Sequence, residues 1–568
     1  TSFHGVCLHS RKFTSYQTRN FAGEPLIVLA LSAAAMPLGA RVSLPSFFCD
    51  HMVLQQQTEA PLWGKASPGA TVTVTGSWDG RSVSARAGSD GSWRLAIPTP
   101  EAGGPYVIRI TENAAHKTAV EALVLKDVLI GEVWLCGGQS NMEMPVKGFS
   151  GQPVDGSAAV IADSADDGLR LFTVKRDFSS EPNDDVSGSW TAASPATVRE
   201  FSATGYFFGA LLRKTLGVPV GLIMDCWGGS CIEAWMSKEA LADFPGYEKA
   251  PHIRPGVPNR TPAVLYNAMI HPLVGYGMRG AIWYQGETNK EEPEQYVPLF
   301  RKMISQWRGE WGYDFPFYFC QIAPYAYSII GEEVVNSAYL REAQLKVSLV
   351  EENVGMAVLM DAGLYRTIHP SQKRQAGERL AYQALAKTYG MAGIVADSPV
   401  PVSFEVQGEA MVVNFEGCDM WLYSPNIDPS NFTLAGEDRV FHPAKAKINR
   451  KQVIVTSPEV PNPVAVRYAF ENWVVGDLFG TEGLPVSSFR SDDWPVERNR
   501  SGAYPQSLGI STSVYLIPNS ACCRSTSCNR RDDSSLLRCT PPVLLPSVPT
   551  TRALREASPR DSKGGSTE

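Results

Sequence analysis

Between Leu44 and about Leu125, apolar and polar residues alternate in short runs, among them Ala70-Thr-Val-Thr-Val-Thr, Ser82-Val-Ser-Ala and Tyr106-Val-Ile-Arg-Ile, separated by Gly, Pro and Asp. Period-two alternation bounded in this way predicts the antiparallel strands of a β-sandwich. After Asp127 the period changes. Continuous apolar runs near 128–135, 219–225, 279–284, 315–322 and 354–360 read as strands buried on both faces, and helical periodicity appears between them at Ala203–Leu216, Gln295–Trp311, Ala338–Val350 and Ser371–Tyr389. Strands alternating with helices predict a doubly wound α/β domain on a parallel sheet. Beyond about Ala396 the β texture returns, at Ala410-Met-Val-Val-Asn-Phe, Lys451-Gln-Val-Ile-Val-Thr and Val464-Ala-Val-Arg-Tyr, and runs to about Trp494. The chain thus divides into an N-terminal β domain (41–125), an α/β domain (126–395) and a C-terminal β domain (396–495).

The two ends have other textures. Residues 1–40 carry Arg11, Lys12 and Arg19 ahead of the apolar stretch Leu26–Ala40, the outline of a secretory signal that is too short to span a bilayer. A secreted or exported protein, in a periplasmic, extracellular or lysosomal-type compartment and with no integral membrane span, is expected. Residues 496–568 are rich in Ser, Arg, Pro and Thr without sustained periodicity, which predicts either a disordered tail or a stretch introduced by a faulty gene prediction.

Composition narrows the partners. With 44% hydrophobic and 19% charged residues in 568, the chain is globular, and a net charge of -7 leaves no basic footprint for nucleic acid. A small molecule or glycan is the expected substrate. The eleven cysteines form no CxxC pair or Cys/His cluster of metal-ligand spacing, so no metal or organic cofactor is implied. Cys226 and Cys231 flank Gly228-Gly229 as either a local disulfide or buried thiols. Sequons at Asn259, Asn431 and Asn499 fit export and also arise by chance.

Candidate chemistry collects where the α/β strands end, the side on which open parallel sheets bind ligands. The first such segment is Gly137-Gly-Gln139-Ser140-Asn141, a turn that displays either a nucleophile or an incidental serine. Position 142 is not Gly, so the elbow of the α/β-hydrolases is excluded. The second is Trp227-Gly228-Gly229-Ser230, whose backbone N–H groups can be aimed at a developing oxyanion. The third, Gln285-Gly-Glu287-Thr-Asn289, offers side-chain amides that either donate to the same oxyanion or satisfy loop backbone groups. The fourth runs from Asp361 through Thr367 and His369 to Lys373. Among eight histidines, His369 alone follows an α/β strand at its carboxyl end, as a general base for a weak serine nucleophile requires.

Gly-Gly-Gln-Ser-Asn-Met (137–142), Trp-Gly-Gly-Ser-x-Ile-Glu-Ala-Trp (227–235), Trp-Tyr-Gln-Gly-Glu-Thr-Asn (283–289) and Ile-His-Pro-x-x-Lys (368–373) together resemble the sialate O-acetylesterases, which belong to the SGNH (GDSL-like) hydrolases. The flanks Asp50-His-Met-Val-Leu-Gln, Leu340-Arg-Glu-Ala-Gln344 and Gly483-Leu-Pro-Val-Ser-Ser-Phe-Arg extend the likeness to about residues 44–494. The resemblance implies a three-layer α/β/α hydrolase domain flanked by β-sandwich-like domains, and hydrolysis of acetyl esters on sialic acids or related sugars. It implies Ser140 as nucleophile and His369 as base, and an oxyanion hole drawn from Ser140, Gly228 or Gly229, and Gln285, with Asn289 second. Gln139 and Asn141 are expected to contact substrate. Many relatives carry an Asp two residues before the histidine, where this chain has Thr367. Asp361 is therefore the first candidate for the third triad member and Glu287 the second, and a backbone carbonyl holding His369 would leave a dyad. Acetylated xylan or another acetylated polysaccharide is the alternative substrate. A catalytically inactive glycan-binding protein is the alternative of another class.

Overall fold

A computed structural model describes residues 42–113, 122–247, 253–331 and 336–496. The expected signal-like segment and tail lie outside the described residues, as do His4, His9, His116, His252 and Asn499.

The alternating N-terminal runs form strands. Thr71–Gly76 lies antiparallel between Ser82–Arg86 and Gly103–Asn113, while Glu59–Lys65 pairs with Ser92–Pro98. Gly103–Asn113 in turn pairs with the start of the 16-residue strand Leu123–Gly138, which continues into the α/β region. One strand therefore serves both sheets: Val128–Cys136 is buried on both faces and apolar save for Glu132, which is paired with Arg279.

The central sheet has the order Val354–Ala357, Phe317–Cys320, Gly280–Tyr284, Leu123–Gly138, Val220–Cys226, Asp166–Thr173, Trp190–Ala193. All of its pairings are parallel except the last. Period-two geometry divides each strand between two cores. Trp134, Cys136, Leu222, Ile282, Tyr284 and Tyr318 face the helices Ala203–Leu216 and Lys373–Gln383. Leu135, Ile223, Ala281, Trp283, Phe317 and Phe319 face Pro293–Trp311 and Ala338–Val350. This is the three-layer α/β/α arrangement. Asp166–Thr173 and Trp190–Ala193 are additional to the strands expected from the sequence: the first mixes charges into its apolar run, and the second is a four-residue edge strand.

The C-terminal region is a seven-stranded antiparallel sheet. It curls until Phe404 on its first strand lies 6.0 Å from Phe489 on its last. The motif flanks meet at the junction with the α/β layers. Arg341, fully buried, donates to Ser488 Oγ (3.0 Å), Ser337 Oγ (3.2 Å) and the Glu471 carbonyl (2.5 Å), and Arg490 reaches Glu342 at 3.0 Å. No helix among the described residues is long and apolar enough to cross a membrane.

Arg341→Ala removes a buried cation and strands three partners, so unfolding free energy is expected to fall by about 3 kcal/mol, measurable by denaturant titration; an unchanged midpoint would show that the junction does not depend on it.

Candidate active site

The strand Leu123–Gly138 ends at Gly138, whose φ of 134° is open only to glycine, and a Cβ there would meet the Tyr284 carbonyl oxygen at 2.3 Å. Neighbouring strand ends close on this point: Gln139 N–H donates to Tyr284 O (2.9 Å) and Trp227 N–H to Gly138 O (3.1 Å). The chain then turns into the short helix Ser140–Glu143, leaving Ser140 partly exposed while Gln139 and Asn141 are buried.

Asn141 ties the segments together. Its Nδ2 donates to Glu287 Oε1 and to the Ile368 carbonyl (3.2 Å), its Oδ1 accepts from Lys373 Nζ, and its backbone carbonyl accepts from Thr204 Oγ1 (3.1 Å). The residue after the candidate nucleophile is thereby bonded to the residue before the candidate base. His369 packs edge-on against Phe149 (5.2 Å) and bonds through Nδ1 to Gln152 Oε1 at 2.6 Å. That bond makes Nδ1 the protonated nitrogen and leaves the Nε2 lone pair available. Ser140 Oγ and His369 Nε2 have no hydrogen-bond partner among the described residues.

Burial and the Lys373 cation bring the His369 pKa down to about 4. Lys373, completely buried and 5.4 Å from the centre of the Tyr284 ring, is itself lowered to about 7, mainly by desolvation. Glu287 is shifted up by burial, against the pull of Asn141 and Lys373. His369 is therefore neutral at pH 7, as a general base must be.

Several expected roles are corrected. Asp361 is not at His369: both its oxygens are held at 2.7 Å by Arg379, and Gln152 occupies the imidazole Nδ1. Glu287 bonds to Asn141 instead of to the histidine. Gln285 is fully buried, donating to Ser230 O (3.2 Å) and Asn289 Oδ1 (2.7 Å) while accepting from Tyr296 OH (2.9 Å). Asn289 also accepts from Ile232 N–H and donates to Glu233, each at 3.0 Å. These amides are engaged within the loop. Gln139 and Asn141 are both largely buried: Gln139 Oε1 accepts from Gly286 N–H at 3.3 Å, and the Asn141 amide is taken up by Glu287, Ile368 and Lys373. Gly228 lies against the serine, where a Cβ would come 3.2 Å from that of Ser140, but its N–H donates to Glu143 Oε2 at 2.8 Å. The Ser140 and Gly229 amides have no partner among the described residues. Cys226 and Cys231 are free thiols, and Asn259, read as a sequon, is buried and holds the Gly228 carbonyl at 2.7 Å.

The family model described as carbohydrate esterase, sialic acid-specific acetylesterase, matches residues 130–386, which hold all four segments. A crystal structure of a carbohydrate acetylesterase from Xanthomonas citri is 37% identical, with a TM-score of 0.72 over 80% of this chain and 100% of that one. The chain belongs to the sialic acid-specific acetylesterase family. Mouse sialate O-acetylesterase is 27% identical over 79% of this chain and 93% of the mouse protein, and the human one 29% identical over 69% and 78%.

Set in this family, the departure at Thr367 acquires a structural counterpart: the imidazole is held by the neutral amide of Gln152. Sequence reasoning missed Gln152, which sits in the aperiodic loop after the nucleophile helix, where nothing local marks it. Glu143 directly follows the first motif and Lys373 closes the fourth, but only the fold shows what they touch.

Because His369 must be neutral to accept a proton, kcat/KM is expected to rise with pH through about 4 and to be level by neutrality. Gln152→Glu places a carboxylate on Nδ1, stabilises the imidazolium and should move this acid limb to higher pH; a limb that stays in place would dissociate Gln152 from the base.

Proposed function

We propose that this protein is a serine O-acetylesterase acting on acetylated carbohydrates, with sialic acids as the preferred substrates. The observation that carries the proposal is the bond from Asn141, the neighbour of a partly exposed strand-end serine, to the carbonyl of Ile368, the residue before a histidine whose free nitrogen is Nε2, in a chain of this family.

In this reading Ser140 Oγ attacks the acetyl carbonyl carbon as His369 Nε2 takes the hydroxyl proton. The negative charge passes to the carbonyl oxygen, within reach of the Ser140 and Gly229 N–H groups, which take the oxyanion role expected of Gln285. Collapse of the tetrahedral intermediate breaks the bond to the sugar oxygen, which receives the proton from His369 and leaves as the free hydroxyl. Water then adds to the acetyl-serine, again giving its proton to His369, and acetate departs as Ser140 regains its hydrogen. Gln152 fixes the tautomer throughout without supplying charge, which fits a base that works from the neutral state. Export from the cytosol, suggested by the start of the chain, suits a substrate class found on secreted and surface glycans.

Ser140→Ala is expected to cut acetate release roughly 10⁴-fold or more without unfolding the protein. Acetate release from O-acetylated sialic acid, set beside acetylated xylo-oligosaccharide, checks the substrate class; full activity in the variant would place the nucleophile elsewhere, and turnover of the xylo-oligosaccharide alone would remove the sialic acid assignment.

A further inference from the structure

Arg176 lies outside all four motif segments, just beyond the carboxyl end of Asp166–Thr173, the strand beside Val220–Cys226 in the sheet. Its side chain is 50% exposed, and its guanidinium stands 5.6 Å from the centre of the Trp227 ring. Phe178, 41% exposed, packs at 6.3 Å against the same indole. Trp227 is followed directly by Gly228, which touches Ser140. An aromatic face and a fixed cation thus flank the candidate nucleophile, on the side away from Phe149 and His369 in the sheet order.

A guanidinium has five N–H donors. Glu143 uses only the Nε and Nη2 edge of Arg176, and does so through the single oxygen Oε1; its other oxygen holds the Gly228 N–H. No other hydrogen bond or ion pair to Arg176 occurs among the described residues, so three donors remain for a ligand. Glu143 also fixes the plane of the guanidinium, which reduces the entropy lost when those donors are engaged. A planar cation at an indole, half exposed and with a free fork, matches a carboxylate attached to a sugar ring: the ring meets the aromatic surface and the carboxylate meets the N–H groups. A neutral acetylated sugar leaves this fork unused.

We propose that Arg176, with Trp227 beside it, anchors the carboxylate of an acidic sugar and makes this esterase prefer O-acetylated sialic acids to neutral acetylated sugars. The assignment rests on the acetylesterase reading of Ser140 and His369.

The test compares KM and kcat for O-acetylated N-acetylneuraminic acid and for its methyl ester, which lacks the charge, in wild type, Arg176→Gln and Arg176→Lys. Wild type is expected to favour the free acid, chiefly through KM, by about 10- to 100-fold, the worth of a charge-assisted hydrogen-bond pair. Arg176→Gln should abolish the preference, and Arg176→Lys should keep part of it; circular dichroism of each variant checks its fold. Equal KM for acid and ester in wild type, or an undiminished preference in Arg176→Gln, would overturn the assignment while leaving the esterase reading intact. Wild type that releases acetate from neither sialic acid derivative, yet does so from acetylated xylo-oligosaccharide, would overturn the sialic acid reading and this assignment together.

Discussion

The buried amide of Asn141 is the interaction on which the site depends. Desolvated polar groups must find partners within the protein, and this side chain links Glu287, the Ile368 carbonyl and Lys373 around one point. Three of the four strand-end segments are thereby set in register, while the serine beside Asn141 stays partly exposed. The acid and the lysine on either side of the amide are both shifted toward neutrality by burial, Glu287 upward and Lys373 down to about 7. Their protonation sets the local field, since the lysine cation is one of the two causes that lower His369.

The remaining segment is fixed from a different direction. The Trp227–Ser230 turn is pinned at Gly228 by Asn259 on its carbonyl and Glu143 on its N–H, and at Ser230 by Gln285. The residues of this turn are therefore held by a layer of amides and a carboxylate behind them. Preorganisation of this kind lowers the reorganisation required when charge develops. It also explains why so many polar residues in the motifs face inward.

The support for His369 shows how a neutral group can replace a charged one. A carboxylate on Nδ1 would raise the imidazole pKa, whereas the Gln152 amide fixes orientation and tautomer and leaves burial to lower it. Asp361 is meanwhile committed to Arg379, joining the end of the last central strand to the helix Lys373–Gln383.

Hydrophobic period determined most of the architecture from sequence alone. Helices expected at Ala203–Leu216 and Ala338–Val350 occupy those residues, and the five long apolar runs became the parallel strands, because burial on two faces leaves an unmistakable apolar signature. Position at strand ends likewise marked Ser140 and His369 as candidates, a reading that needs only the local chain. What the sequence could not assign were partners. Whether Asp361 faces His369 or Arg379, whether Gln285 meets a cleft or Ser230, and which side chains Gln152 and Arg176 meet depend on contacts between residues far apart in the chain. Only packing of the layers decides such contacts, because one polar residue type serves equally well as scaffold or as reagent until its neighbours consume its hydrogen bonds.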